Sequence, residues 1–311
     1  MKKELSMRLG ALVVVGAFAG CSPAAPAVWP EASPLPAPSA AQPAQVSVPA
    51  KPPRVAGGFD AEVAISIAAM NQGAFADAKE ALAAAATRED TFEQTYHLAY
   101  LEATLAAFEG RLDVSAERLT SVLSHARSHT DGDKEFWLHN ELTWVRWAAG
   151  DLAGALAECD AMRDAVDRST LAKAAKNGLM LHQLWDHAYL LLEVADAQPA
   201  SSRAAAVSYA NDARERYDEL AKPSGDHDGM AVLEAFFLLH EHAFAGARDA
   251  AKKVDIEKDS DLQDLYVIAL ALAASGDAAG AGAVRARIRG SKNVYLMRPL
   301  IVQRMDRDAK K

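Results

Sequence analysis

The chain has little cysteine, little proline outside one segment and no long apolar run. Its 311 residues include two cysteines, Cys21 and Cys159, so a framework of several disulfides is excluded and the folded part must be stabilised by packing. The apolar stretch from Leu9 to Ala19 is shorter than the roughly 20 residues that a membrane-spanning helix needs. The sequence therefore predicts neither a disulfide scaffold nor a spanning helix at this stretch.

Motifs for catalysis and for metal binding are also missing. We find no Gly-rich phosphate loop, no nucleophile elbow and no pair of carboxylates at a recognisable cleft, so no catalytic residue and no cofactor are predicted. His125 and His129 share a helix face, but they have no further ligands, and the two histidines of His240-Glu241-His242 lack the zinc-protease spacing. We predict no metal site. The net charge of −9 argues against binding nucleic acid.

The N-terminus carries the three parts of a secretory signal. Lys2, Lys3 and Arg8 form a basic end, the apolar stretch follows, and Phe18-Ala19-Gly20-Cys21 closes it with small residues. This run resembles the signal of bacterial lipoproteins, with Phe18 where that motif usually has Leu.

The resemblance implies that residues 1–20 are removed and that Cys21 is acylated, so that the lipid bilayer is one partner. Several acyl chains at about 0.8 kcal/mol per buried CH₂ would hold the chain stably to a membrane. Ser22 after the cysteine implies sorting to the outer membrane, with the protein facing the periplasm. An ordinary secretory leader and an uncleaved anchor are the alternatives. Cleavage would change the net charge from −9 to −11, because three basic residues and Glu4 are lost.

Residues 21–58 form a linker after the acylated cysteine. Ten of the thirteen prolines lie between Ser22 and Gly58, separated by Ala, Ser, Gln and Val. Such a composition favours disordered polyproline II, and at about 3.1 Å per residue the tether would reach on the order of 100 Å. The alternative is a docking segment for a proline-binding partner.

From Phe59 onward the sequence predicts helix after helix, with a recurring turn. Each turn has a residue that tolerates positive φ, and a small residue follows five positions later, which lets two antiparallel helices reverse and approach closely. The pairs are Gly73 and Ala78, Gly110 and Ser115, Gly150 and Ala155, His242 and Ala247, and Gly276 and Ala281. A longer pair is predicted from Leu171 to Leu220, with its turn near Gln198 and Pro199.

These copies resemble tetratricopeptide repeats. The clearest are Gly73-Ala74-Phe75 with Ala78 and Leu82, Gly150-Asp151-Leu152 with Ala155 and Cys159, and His242-Ala243-Phe244 with Ala247 and Ala251. The resemblance implies an all-α fold, an α-solenoid of about five to six antiparallel hairpins over residues 59–290, with a capping helix and tail over residues 291–311. An irregular helical bundle is the alternative.

In such repeats the first helices line a concave groove, and the resemblance places aromatic residues there. The predicted partner-binding residues are Tyr100, Trp137, Asn140, Trp144, Trp147, Phe236 and Tyr266. We expect the groove to hold a peptide segment of an envelope protein, with the tryptophans as apolar anchors. The alternative is that these side chains pack in the core.

The function predicted from these features is a membrane-anchored adaptor rather than an enzyme. Two alternatives remain, a structural subunit that associates with itself and a lipoprotein that binds a small ligand or a glycan.

Overall fold

The computed structural model describes residues 57–129, 132–257, 261–291 and 296–308. Within these residues the chain forms thirteen helices and no strand. The helices are α1 (Phe59–Asn71), α2 (Phe75–Ala86), α3 (Phe92–Phe108), α4 (Leu112–His129), α5 (Asp133–Ala149), α6 (Leu152–Arg168), α7 (Lys173–Ala197), α8 (Ala200–Ser224), α9 (His227–His240), α10 (Phe244–Ala251), α11 (Leu262–Ala274), α12 (Ala278–Gly290) and α13 (Met297–Asp308).

The first twelve helices pack as six consecutive antiparallel pairs. Each odd-numbered helix makes its closest packing with the helix that follows, and successive pairs then pack on one another. This arrangement confirms the predicted all-α array of five to six hairpins. The long fourth pair turns between Ala197 and Ala200, where the sequence predicted a turn near Gln198 and Pro199.

The hairpin turns follow from the residue types that the sequence repeats. All five predicted turn residues have a left-handed φ, and among the described residues His242 is the only one of positive φ that is not glycine, with φ 57°. In the third pair, the Asp151 backbone N–H donates to the Arg146 carbonyl at 2.9 Å, which closes the C-terminus of α5. The Asp151 side chain then accepts from the Gly154 N–H at 2.9 Å and begins α6.

The small residue of each copy lets the paired helices approach. Ala78, Ser115, Ala155, Ala247 and Ala281 are all buried. Larger side chains at these positions would separate the helix axes, which usually lie 8–10 Å apart. The repeat predicted from spacing is therefore a packing repeat in the structure.

Helix α13 is not paired with a neighbour in the sequence. It contacts α12, but it also packs on α3, α5 and α11, which are the first helices of three hairpins. We call the surface formed by α3, α5, α7, α9 and α11 the first-helix face. The predicted C-terminal capping helix thus lies across this face and does more than cover the last hairpin.

No described helix is both long enough and apolar enough to cross a membrane. Residues 1–56, which include the predicted signal, Cys21 and most of the predicted linker, lie outside the described residues.

Candidate functional site

Aromatic side chains from four helices meet on the first-helix face. The Trp144 ring on α5 lies 5.2 Å from Trp147 and 5.5 Å from Tyr189 of α7, measured between ring centroids. Tyr189 stacks on Phe236 of α9 at 4.2 Å, and Trp147 meets Tyr266 of α11 edge to face at 5.8 Å. Four of the seven predicted groove residues therefore form one aromatic cluster.

The two tryptophans that we predicted as partner anchors are core residues in this conformation. Trp144 is 1% exposed and Trp147 is fully buried. Part of the cover comes from α13, because the Arg304 guanidinium lies 5.0 Å from the Trp147 ring centroid. Their surroundings agree with the alternative given above, in which these side chains pack in the core.

The other three predicted groove residues lie at different places on the same face. The Tyr100 hydroxyl accepts a hydrogen bond from the Leu296 backbone N–H at 3.0 Å, just before α13 begins. Asn140 Oδ1 lies 3.1 Å from His182 Nε2, and the Trp137 ring meets the same imidazole at 5.3 Å. A role of these residues in binding a partner stays a prediction.

Helix α13 is held by polar contacts at its rim and by apolar contacts beneath it. Gln303 donates to the Ala107 carbonyl at the end of α3, and Arg307 donates to the Ala148 carbonyl at the end of α5. Arg304 donates to Glu193 of α7 at 2.8 Å. Leu300 and Ile301 are buried against the first-helix face. The face thus accepts a helix with basic and amide side chains.

A cavity remains open beside α13 at the C-terminal ends of four first helices. We call it the C-edge cavity; it has a volume of about 530 Å³. The residues that line it are Gly150, Leu152, Glu193, Asp196, Ala197, Phe236, Leu239, His240, His242, Tyr266, Leu270, Ala274 and Arg304. Helices α5, α7, α9 and α11 all end here, so their last carbonyls and the negative ends of their dipoles converge on one opening.

A second cavity lies nearer the N-terminal ends of α9 and α11. We call it the N-edge cavity; it has a volume of about 300 Å³. The residues that line it are Gly178, Leu181, His182, Trp185, Asp186, Tyr217, Asp226, Gly229, Asp261, Gln263 and Asp264. The lining includes four aspartates and no lysine or arginine. Two of these aspartates also cap helices, since Asp226 accepts from the Gly229 N–H at 3.1 Å and Asp261 from the Gln263 N–H at 2.8 Å.

Asp186 is the unusual residue of the N-edge cavity. It is 1% exposed, and neither carboxyl oxygen has a hydrogen-bond partner among the described residues. His182 Nε2 lies 3.7 Å away, beyond hydrogen-bond distance. The Trp144 indole N–H is close by, but it donates to the Gln263 side-chain oxygen at 2.8 Å once that amide is oriented to satisfy both groups.

The surroundings of Asp186 favour its neutral form. Burial raises the pKa of its carboxyl well above the usual range, and the negative charge of Asp261 adds to the rise. The Trp144 indole opposes this shift and Glu141 reinforces it. Burial lowers the pKa of the neighbouring His182, although part of its ring stays accessible. An unprotonated imidazole therefore gives Asp186 little compensation.

Another buried acidic residue shows how the fold usually satisfies such groups. Glu135 of α5 is also almost fully buried, yet it accepts hydrogen bonds from Arg127 at 2.6 Å and from Arg168 at 2.9 Å. Two guanidinium groups compensate its charge. Asp186 has no such compensation, so its burial is not explained by a structural ion pair.

Sequence reasoning missed the N-edge cavity. Neither His182 nor residues 226–229 match a recognisable binding motif. The one available signal was Asp186 itself, a lone acidic residue in the apolar run from Leu184 to Leu192. Its convergence with Asp226 and Asp261 depends on how α7, α9 and α11 pack.

Among the described residues, no group of three or more His, Cys, Asp or Glu side chains is arranged to hold a metal ion. The side chain of His129 is outside this description, so the prediction that it shares a helix face with His125 is not tested. Cys159 is a buried free cysteine, and burial raises the pKa of its thiol. No protein-family model matches the chain, and a search of curated proteins finds no match either.

Proposed function

We propose that this chain is a lipid-anchored, non-enzymatic scaffold of the bacterial envelope whose tetratricopeptide-like repeats bind a basic segment of a protein partner. The anchor is proposed from the resemblance of residues 1–21 to a lipoprotein signal. An acylated Cys21 followed by a proline-rich tether would hold the repeats at the periplasmic side of the outer membrane.

The observation that carries the binding proposal is the C-edge cavity. Four helices end at its wall, so the negative ends of four helix dipoles lie near one opening. Asp196 at the rim is exposed, and its floor holds the apolar side chains of Phe236, Leu239 and Leu270. A cationic side chain at the rim would share the Asp196 carboxylate with Arg203, 3.0 Å away, and His240, 2.9 Å away. An apolar side chain would be accommodated below.

The protein's own C-terminus supports this choice of occupant. On the neighbouring part of the first-helix face, α13 inserts Leu300 and Ile301 and places Arg304 and Arg307 on a carboxylate and on a helix-end carbonyl. The C-edge cavity continues that surface, since Arg304 lines it. We therefore expect the partner segment to resemble α13, with apolar side chains on one side and arginine or lysine at the rim.

Site-specific photocrosslinking in intact cells tests the proposal. A photoreactive residue at Leu239, inside the cavity, should capture one envelope protein, and the attachment site should map to a basic segment. The background control places the photoreactive residue at Tyr209 instead. Tyr209 is 63% exposed on α8 and is not part of the cavity lining.

Two variants make the test sharper. Asp196→Lys should lower the crosslink yield several-fold because it places a positive charge at the rim, whereas Asp249→Lys, the same change at an exposed site on α10, should not. Cys21→Ser should release the protein from the membrane fraction without altering the cavity. Capture of a second copy of this chain, or an adduct yield that Asp196→Lys leaves unchanged, would contradict the proposal.

A further inference from the structure

The N-edge cavity holds a buried carboxyl group with no hydrogen-bond partner among the described residues, and such a group is expensive to maintain. A carboxyl that lacks hydrogen bonds loses its interactions with water and gains nothing in return. Asp186 is in this position, and so is the Trp185 indole N–H, which is buried without an acceptor. Both residues belong to the cavity lining, so its wall contains one unsatisfied acceptor group and one unsatisfied donor.

We propose that the N-edge cavity binds a small organic amine, with its ammonium group on Asp186 and a hydroxyl or carbonyl oxygen of the same molecule on the Trp185 N–H. This site is separate from the C-edge cavity, and the inference does not depend on the proposed partner. An ammonium group has three N–H donors, and it therefore suits the Asp186 carboxylate, which accepts no hydrogen bond from the described residues.

The charge of the lining selects a cation. Asp226, Asp261 and Asp264 line the cavity with Asp186, and the lining residues include no lysine or arginine. An anionic ligand would meet like charges in a poorly solvated space, which is unfavourable. A neutral ligand could donate to Asp186 but would bring no positive charge to this acidic lining.

The cavity has the size and the entrance that a small molecule needs. Its volume of about 300 Å³ is at the lower end of the range for small-molecule sites. Gly178 lies at the exposed part of the lining, and a Cβ added there would meet no atom within 4 Å. The opening therefore lies beside a residue without a side chain.

Protonation should be coupled to binding. Because the free carboxyl of Asp186 is biased towards its neutral form, an ammonium ligand must shift it to the carboxylate, and a proton is released. Affinity should rise with pH until Asp186 is ionised in the free protein. The other titratable groups that face it are Glu141 on α5, Cys159 on α6, His182 on α7, Tyr217 on α8, Asp226 before α9, and Asp261 and Asp264 at the start of α11.

Isothermal titration calorimetry of the full chain with aminopentanol tests the proposal, and pentanediol of nearly the same shape is the uncharged control. We expect saturable heat with aminopentanol, none with pentanediol, and proton release on comparing buffers of different ionisation enthalpy. Asp186→Asn should weaken binding by about tenfold or more, and Asp249→Asn, which removes the same charge from an exposed site, should leave it unchanged.

A second variant separates loss of binding from loss of folding. Gly178→Leu should block the entrance while improving the helix propensity of α7, so the variant should fold at least as well as wild type and bind no amine. Gly178→Ala keeps most of the opening and should retain binding. No saturable heat at millimolar amine, equal heat with pentanediol, heat only with calcium or zinc ions, or undiminished binding by Asp186→Asn would each overturn the proposal.

Discussion

Glu141 on α5 links burial to the pH dependence of stability. Burial raises the pKa of its carboxyl to about 8, although part of the side chain remains accessible. In the unfolded chain the pKa of a glutamate is about 4.3. The folded state therefore binds the proton more tightly, so the contribution of Glu141 to stability is greatest below the unfolded pKa, falls as the pH rises towards about 8 and is fully lost above that pH.

Replacing Glu141 with Gln should remove this loss. Between pH 5 and pH 9 we expect the free energy of unfolding of Glu141→Gln to gain about 1–3 kcal/mol relative to wild type, after discounting the full shift for the accessible part of the side chain. Urea unfolding at the two pH values measures the difference.

Comparing variant with wild type is necessary because other groups titrate in the same range. Burial lowers the pKa of His182 and of His187, and each contributes stability that is lost as the pH falls. Glu215→Gln, at an exposed site on α8, is the matched control and should follow the wild-type curve. If the free energies of unfolding of Glu141→Gln and wild type differ by the same amount at every pH, the raised pKa of Glu141 is contradicted.

At the scale of single residues, the sequence predicted what depends on local geometry. His242 was assigned to a turn because it stands where other copies have glycine, and the structure gives it a left-handed φ of 57°. The environment of Asp186 could not be predicted in the same way. Its neighbours Glu141 and Asp261 come from helices far away in the sequence, and their approach is decided by tertiary packing.

Among the helices, α13 is the element whose role is hardest to infer from its sequence. Its pattern of apolar and basic residues suits a helix that caps the last hairpin as well as one that lies across the first-helix face. The structure selects the second, through the contact of Leu296 with Tyr100 and of Arg307 with Ala148. The six hairpins were predictable because each is a short-range unit, whereas the position of α13 rests on contacts about 150 to 200 residues apart.

The same contacts explain why groove and core were hard to distinguish by sequence. Trp144 and Trp147 occupy helix positions that face the predicted groove, but Arg304 of α13 covers one of them. Truncating either tryptophan would create a core cavity that costs about 3–5 kcal/mol. Such a variant would report on folding before it reported on a partner, so the Leu239 position is the better probe.

Helix α13 should contribute to stability chiefly through Leu300. This side chain is fully buried, so Leu300→Ala should lower the free energy of unfolding by about 2–5 kcal/mol, with a red shift of tryptophan fluorescence if α13 detaches. Val302→Ala on the same helix is the control, because Val302 is only partly buried and should cost about 1 kcal/mol or less. If the two variants lower the free energy of unfolding by the same amount, α13 is not packed as the structure shows.

At the scale of the whole described array, the apolar core divides into two clusters of different reach. The smaller one joins α1, α2 and part of α3 through residues such as Phe59, Leu82 and Leu101. The larger one runs from α3 to α13 and includes the aromatic cluster. In repeat arrays stability is the sum of local terms, but a helix that contacts several repeats couples them. Because α13 packs on α3, α5 and α11, we expect the larger cluster to unfold as one unit.

Hydrogen exchange measured by mass spectrometry should resolve the two clusters. Leu82→Ala, in the smaller cluster, should accelerate exchange in α1 and α2, by an amount that corresponds to about 2–5 kcal/mol, while α5 to α12 keep their protection. Leu119→Ala, an equally buried change on α4 in the larger cluster, should instead lower protection from α3 to α13. If Leu82→Ala accelerates exchange throughout the chain, the array is a single cooperative unit. If Leu119→Ala affects only α3 and α4, α13 does not couple the hairpins.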